Sequence, residues 1–160
     1  MALFLVRHAK AGKRSEWLND SANRGDDRPR PLDAKGKLQA TAIAERLLTL
    51  QPTSLYSSPF KRCVQTLAPL GKQTGLVIAE DVRLAENNDF EPMLELLESC
   101  ADGAVLCSHG DMIPMVTDAL ERRGMVVTGM RDSRKASMWV LERQKGIIVR
   151  GHAWPPPTID

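Results

Sequence analysis

Leu3-Phe4-Leu5-Val6-Arg7-His8 is the stretch on which the fold turns. Four consecutive apolar residues read as a strand buried on both faces, the pattern of a parallel sheet covered by helices. Arg7 and His8 end the run abruptly. Working outward, Ser54-Leu55-Tyr56-Ser57, Leu76-Val77-Ile78-Ala79 and Ala104-Val105-Leu106-Cys107 read as three more short strands. Helical spacing separates them. Ala40, Ile43, Leu47 and Leu50 recur at three- and four-residue steps until Gln51-Pro52 closes the helix. Ser58-Pro59 reads as an N-cap and first helical residue for a helix carrying Val64, Leu67 and Leu70, which Pro69 should kink or shorten. Pro92 to Cys100 and Asp111 to Arg123 supply two further helices. Met138 to Leu141 and Ile147 to Val149 flank Gly146 as a hairpin, and Pro155-Pro156-Pro157 predicts an irregular tail. The alternation predicts an α/β fold: a three-layer αβα sandwich with a mostly parallel central sheet, the hairpin supplying an antiparallel edge strand.

With 160 residues the chain is expected to form a single domain over residues 1–160, large enough to hold a core without disulfides or a structural metal. Hydrophobic residues at 42% and charged residues at 26% exclude a disordered chain. A net charge of +2 gives no footprint for nucleic acid, and aromatics at 4% build no stacking platform for bases. Three Cys without paired spacing argue against a disulfide framework. The apolar N-terminus is too short for a secretory or spanning segment, so the expectation is a soluble cytoplasmic protein with no membrane partner.

Chemistry in such a sheet is expected beyond the carboxyl ends of the strands. Arg7 and His8 end the first strand, Arg62 follows the second within the first helical turn, and His109 follows the run 104–107. Two guanidinium groups can grip phosphate oxygens with paired hydrogen bonds. A helix N-terminus beside Arg62 favours an anion. A neutral imidazole is a competent nucleophile toward phosphorus where neighbouring cations spread the charge. Together these residues predict a phosphoryl pocket. Residues 7–30 add a local excess of cations, seven Lys or Arg against four acids. Within the long polar stretch from Lys10 to Pro31, Lys13, Arg14 and Arg30 are candidates for a mobile rim that recognises an anionic substrate, with Lys135 near it.

Leu5-Val6-Arg7-His8-Ala9 resembles the signature of the histidine phosphatase superfamily, the phosphoglycerate mutase-like group, with Ala where Gly is usual. The segment Arg28-Pro29-Arg30-Pro31-Leu32-Asp33 with Gly36 and Gln39-Ala40, the segment Tyr56-Ser57-Ser58-Pro59 with Arg62 and Gln65-Thr66, and Ser108-His109-Gly110 resemble its later motifs in order. The short length is similar to SixA-type phosphohistidine phosphatases. Arg131 to Trp139 is similar to the histidine-phosphatase domain found fused to Nudix hydrolases. The resemblance implies a phosphoglycerate mutase-like fold and a hydrolase that works without metal or cofactor. In it His8 becomes phosphohistidine, while Arg7, Arg62 and His109 hold the phosphoryl oxygens. Glu86 stands where family members carry a proton donor. It favours an ester or anhydride substrate, whose leaving group benefits from acid help, over phosphohistidine. The expected partner is a phosphorylated small molecule, a nucleotide or a phosphohistidine protein. The other reading of the same cluster is a non-catalytic phosphate-binding module.

Overall fold

The computed structural model describes residues 1–159. β1 (Ala2–Arg7) lies near the middle of a seven-stranded sheet. On one side follow β4 (Ala104–Ser108), β2 (Ser54–Ser57) and β3 (Ile78–Glu80), all parallel to β1. On the other side come β6 (Met138–Gln144), antiparallel to β1, then β7 (Ile147–Trp154) and the two-residue β5 (Val126–Val127).

Strand alternation sorts the side chains into two cores. Leu3 and Leu5 of β1, Leu106 of β4 and Trp139 and Leu141 of β6 face α4 (Phe90–Ser99) and α5 (Met112–Arg122). Phe4, Val6, Val105, Cys107, Met138 and Val140 face α2 (Ala34–Leu48) and α3 (Lys61–Thr74). Helices therefore cover both faces, which is why β1 and β4 carry unbroken apolar runs. The chain leaves β1 toward β2 and leaves β4 toward β5 at the opposite edge, so the carboxyl ends of β1 and β4 form the switch point of the sheet.

Some details differ from the sequence reading. The antiparallel strand β6 is interior, because β1 pairs with one side of it and β7 with the other, and Val126 and Val127 then cover the outer side of β7 in parallel. That two-residue strand has no sequence signal. The polar stretch after β1 is folded: it holds α1 (Arg14–Asn19) and a 3-10 turn at Ser21–Asn23, and Ala11 pairs with Leu32 across its base. α3 begins at Lys61, not Pro59, and runs through Pro69 to Thr74 without shortening. Among the described residues no helix is long and apolar enough to cross a membrane.

Candidate active site

The last pair of the central ladder, Arg7 with Ser108, brings the two following histidines together, and the His8 N–H donates to the Ser108 carbonyl at 3.1 Å. The imidazoles of His8 and His109 stand edge to face with centroids 5.4 Å apart. His8 Nδ1 lies 2.8 Å from the Ala9 carbonyl oxygen. A carbonyl can only accept, so Nδ1 carries the proton and Nε2 keeps a free lone pair. The Ala9 N–H is in turn held by Thr66 Oγ1 at 2.9 Å, and Thr66 donates to the Arg62 carbonyl at 2.7 Å. Burial first, then the charges of Arg62, Arg7 and Lys135, push His8 down to about 3 against the raising effect of the Ala9 bond. His8 is thus neutral at physiological pH.

His109 is almost fully buried and pushed down to about 2, by burial first and then by His8, Arg62, Arg14 and Arg7. Its Nε2 lies 2.8 Å from Ser58 Oγ, which also accepts the Phe60 N–H at 3.3 Å. Assigning the Ser58 hydroxyl as donor to Nε2 puts the ring proton on Nδ1, which faces Glu86 Oε2 at 3.6 Å. This corrects the role expected for Ser58. Ser58 orients His109 and does not cap α3, whose N-cap is Phe60 without a side-chain bond. Phe60 is drawn into that position by its own contacts, packing against His109 at 4.8 Å and beneath the Arg62 guanidinium at 4.9 Å. Cys63 is buried as expected but also lies 3.5 Å from His109 Nε2.

Arg62, on the first turn of α3, is fully buried. Its Nη2 sits 3.1 Å from both Asp27 Oδ2 and Glu86 Oε1, and its Nη1 donates to the Asp27 carbonyl at 3.1 Å. Arg14 spans the same two carboxylates, 3.3 Å from Asp27 Oδ2 and 3.2 Å from Glu86 Oε2. Arg30 binds Asp27 Oδ1 at 2.6 Å and the Gly12 carbonyl. Burial pushes the Asp27 carboxyl up, but the Arg30 hydrogen bond and the charges of Arg62, Arg30 and Arg14 outweigh it and hold it below its ordinary range. Arg7 packs its guanidinium over Gly110 and donates from Nη1 to the Ser133 carbonyl at 2.6 Å. Four buried donors, Arg7 Nε, Arg62 Nε and Nη2 and His109 Nδ1, have no partner with hydrogen-bond geometry.

A cavity of about 480 Å³ opens over this group, walled by Arg7, His8, Lys13, Arg14, Arg30 and Glu86 among others. Arg62 and His109 lie one layer deeper, in contact with Glu86. The structure therefore brings His8, Arg7, Arg62, His109, Glu86, Arg14 and Arg30 together. Lys13 reaches the rim but is four-fifths exposed beside Glu16, and Lys135 also lines the cavity. Arg30 is not the mobile rim residue expected from its loop. It is 5% exposed because Asp27 and the Gly12 carbonyl satisfy its donors. Asp27 is the residue the sequence reading missed, counted only as a loop charge. Its one signal is its place three residues before Arg30.

The family model for the histidine phosphatase superfamily, branch 1, matches residues 3–95. The chain belongs to the histidine phosphatase superfamily. Within it, the 8-oxo-(d)GTP phosphatase of Mycolicibacterium smegmatis is 31% identical over 161 residues, covering 97% of this chain and 48% of the relative. A glucosyl-3-phosphoglycerate phosphatase of Mycobacterium tuberculosis is 42% identical over 83 residues, covering 50% of this chain and 37% of the relative. The chain thus spans about half, or less, of the length of these curated relatives. Among solved superfamily structures, the protein histidine phosphatase SixA with tungstate superposes with a TM-score of 0.73 at 18% identity, covering 96% of this chain and 94% of the other. A mycobacterial glucosyl-3-phosphoglycerate phosphatase with VO3 gives 0.65 at 21% identity, with 98% and 99% covered. At these identities the likeness is one of fold.

Proposed function

We propose that the chain is a phosphatase that moves a phosphoryl group to His8 and then to water. The observation that carries this reading is the unprotonated Nε2 of His8, fixed by the bond from Nδ1 to Ala9, among buried nitrogens of Arg7, Arg62 and His109 that make no well-directed hydrogen bond. In the first step Nε2 forms a bond to phosphorus while the bond from phosphorus to the leaving oxygen breaks. Arg7, Arg62 and His109 Nδ1 take the equatorial oxygens, replacing the contacts that Asp27 and Glu86 make with Arg62. In this reading Glu86, at the cavity wall beside Arg62 and His109, gives a proton to the leaving oxygen and then takes one from the water that hydrolyses phospho-His8. These groups supply nucleophile, charge neutralisation and proton transfer, so no step calls for a metal.

Glu86 against His109 and Arg62 favours an ester or anhydride substrate. A phosphoramidate leaves without such help, which makes a phosphohistidine protein the second substrate class. The test is turnover of para-nitrophenyl phosphate in EDTA. His8→Ala is expected to lose at least about a thousandfold, and rapid quench of the wild type into alkaline detergent should trap a base-stable phosphoenzyme that is lost on later acid treatment. Equal turnover by both proteins overturns His8 as the nucleophile, and phosphate binding with neither turnover nor phosphoenzyme overturns the reading in favour of a silent binding module. Glu86→Gln is expected to cost about 10²–10⁴-fold on the ester. A phosphohistidine peptide hydrolysed equally well by both forms would assign the site to phosphohistidine.

A further inference from the structure

Beside the cavity over His8 lies a second one of about 590 Å³ that the proposed mechanism does not use. Five cationic side chains, Arg7, Lys10, Lys35, Arg134 and Lys135, line it, and among the described residues no carboxylate does. Lys35, Lys135 and Arg7 have no carboxylate within 4 Å among the described residues; Lys10 is 3.6 Å from Asp33, and Arg134 binds Asp132 at 2.6 Å. The far wall is the C-terminal tail from Pro156 to Ile159. The tail is anchored where Arg46 donates to the Pro155 carbonyl at 3.2 Å and lies 5.3 Å from the Trp154 ring. Arg7, Lys10 and Lys135 line both cavities, so the two share a wall.

Gathering these cations around one hollow, three of them without a carboxylate within 4 Å among the described residues, costs repulsion. Lys135 shows it, its ammonium pushed below the ordinary range by burial and by Arg7, Arg30 and Lys10, with Asp33 opposing. An anion in the hollow relieves that repulsion. We propose that this second cavity takes a second phosphate, so that the preferred substrate carries a phosphate on its leaving group, close to the phosphoryl group transferred. The proposal rests on the phosphatase reading and names its substrate class. A diphosphate is the simplest substrate of this class: with its terminal phosphoryl group at His8, its next phosphate is assigned to the hollow lined by Lys35, Lys135 and Arg134. A phosphohistidine side chain carries no second phosphate and leaves the hollow unfilled.

Two measurements test it. The first compares kcat/KM for inorganic pyrophosphate and adenosine diphosphate with that for para-nitrophenyl phosphate. Lys35→Ala and Arg134→Ala are each expected to lower the diphosphate-to-aryl ratio about tenfold. Preference for either diphosphate supports the proposal, and a ratio unmoved by both variants overturns it. The second needs no turnover: calorimetry of pyrophosphate and inorganic phosphate with His8→Ala. Pyrophosphate should bind at least tenfold tighter than phosphate, and adding Lys35→Ala with Arg134→Ala should erase the difference. Equal affinities overturn the second site, whereas loss of the phosphatase reading alone shows as aryl turnover that survives His8→Ala.

Discussion

Gly110 leaves room for a guanidinium. A Cβ added there would lie 2.5 Å from Arg7 Cζ and 2.7 Å from its Nη2. These atoms belong to the end of a long side chain, which can swing away at little cost to the fold. Gly110→Ala is therefore expected to leave the unfolding midpoint nearly unchanged while kcat/KM on an aryl phosphate falls roughly a hundredfold, because displacement of a positioning group by about 1 Å is enough for that loss. A variant that unfolds, or one with full activity, would contradict it. At this scale the sequence was legible where a residue ends a strand: Arg7, His8 and His109 follow apolar runs and meet because those runs pair. Ser58 and Asp27 were not legible. Ser58 imitates a helix cap, and only the position of the His109 ring shows that its hydroxyl is spent elsewhere. Asp27 matters through three arginines, two of them outside hydrogen-bonding range in sequence, so its weight is a tertiary fact.

Among the elements, α2 and the loop before it are locked by a close backbone approach. Asp33 caps α2 by accepting the Gly36 N–H at 2.8 Å, and its own N–H donates to the Lys10 carbonyl at 3.0 Å. A Cβ on Gly36 would fall 1.9 Å from that carbonyl oxygen. Here the obstacle is main chain, so Gly36→Ala is expected to destabilise by about 1–3 kcal/mol, read as a lower urea midpoint, and to weaken activity by displacing the loop that begins at His8. Gln39 and Gln65 hold the same loop through the Lys10 and Leu32 N–H groups at 3.0 and 2.8 Å. Periodicity made the helices and central strands readable, since burial on two faces writes a distinct pattern. It could not report α1 or β5. α1 has no buried residue, and β5 is only two residues long; both owe their place to neighbours.

Over the whole molecule, acid should weaken the fold earlier than its carboxylates require. His8 and His109 are held neutral at about 3 and about 2, while an unfolded histidine titrates near 6.5. Between those values the unfolded chain binds protons that the folded chain refuses, so stability falls as pH drops below about 6.5. From pH 6.5 to pH 5 the expected loss is about 1–3 kcal/mol. Asp27 and Asp81, whose folded values are lowered, contribute stability that is lost only at more acid pH. Urea unfolding at the two pH values should show the drop, and His109→Gln should reduce it. An unchanged slope in that variant would refute the assignment.

The pairing of β1 with β4 carries a further consequence for how such a chain can change over time. The backbones of His8 and His109 are brought together by ladder register, Arg7 opposite Ser108. Insertions between elements can lengthen the rim or reshape the second cavity without disturbing that spacing. A single residue gained or lost inside either strand would turn every side chain to the other face, putting Arg7 or Ala9 in place of His8. Substrate range is free to drift by insertion and deletion around a pair of strands in which neither is tolerated.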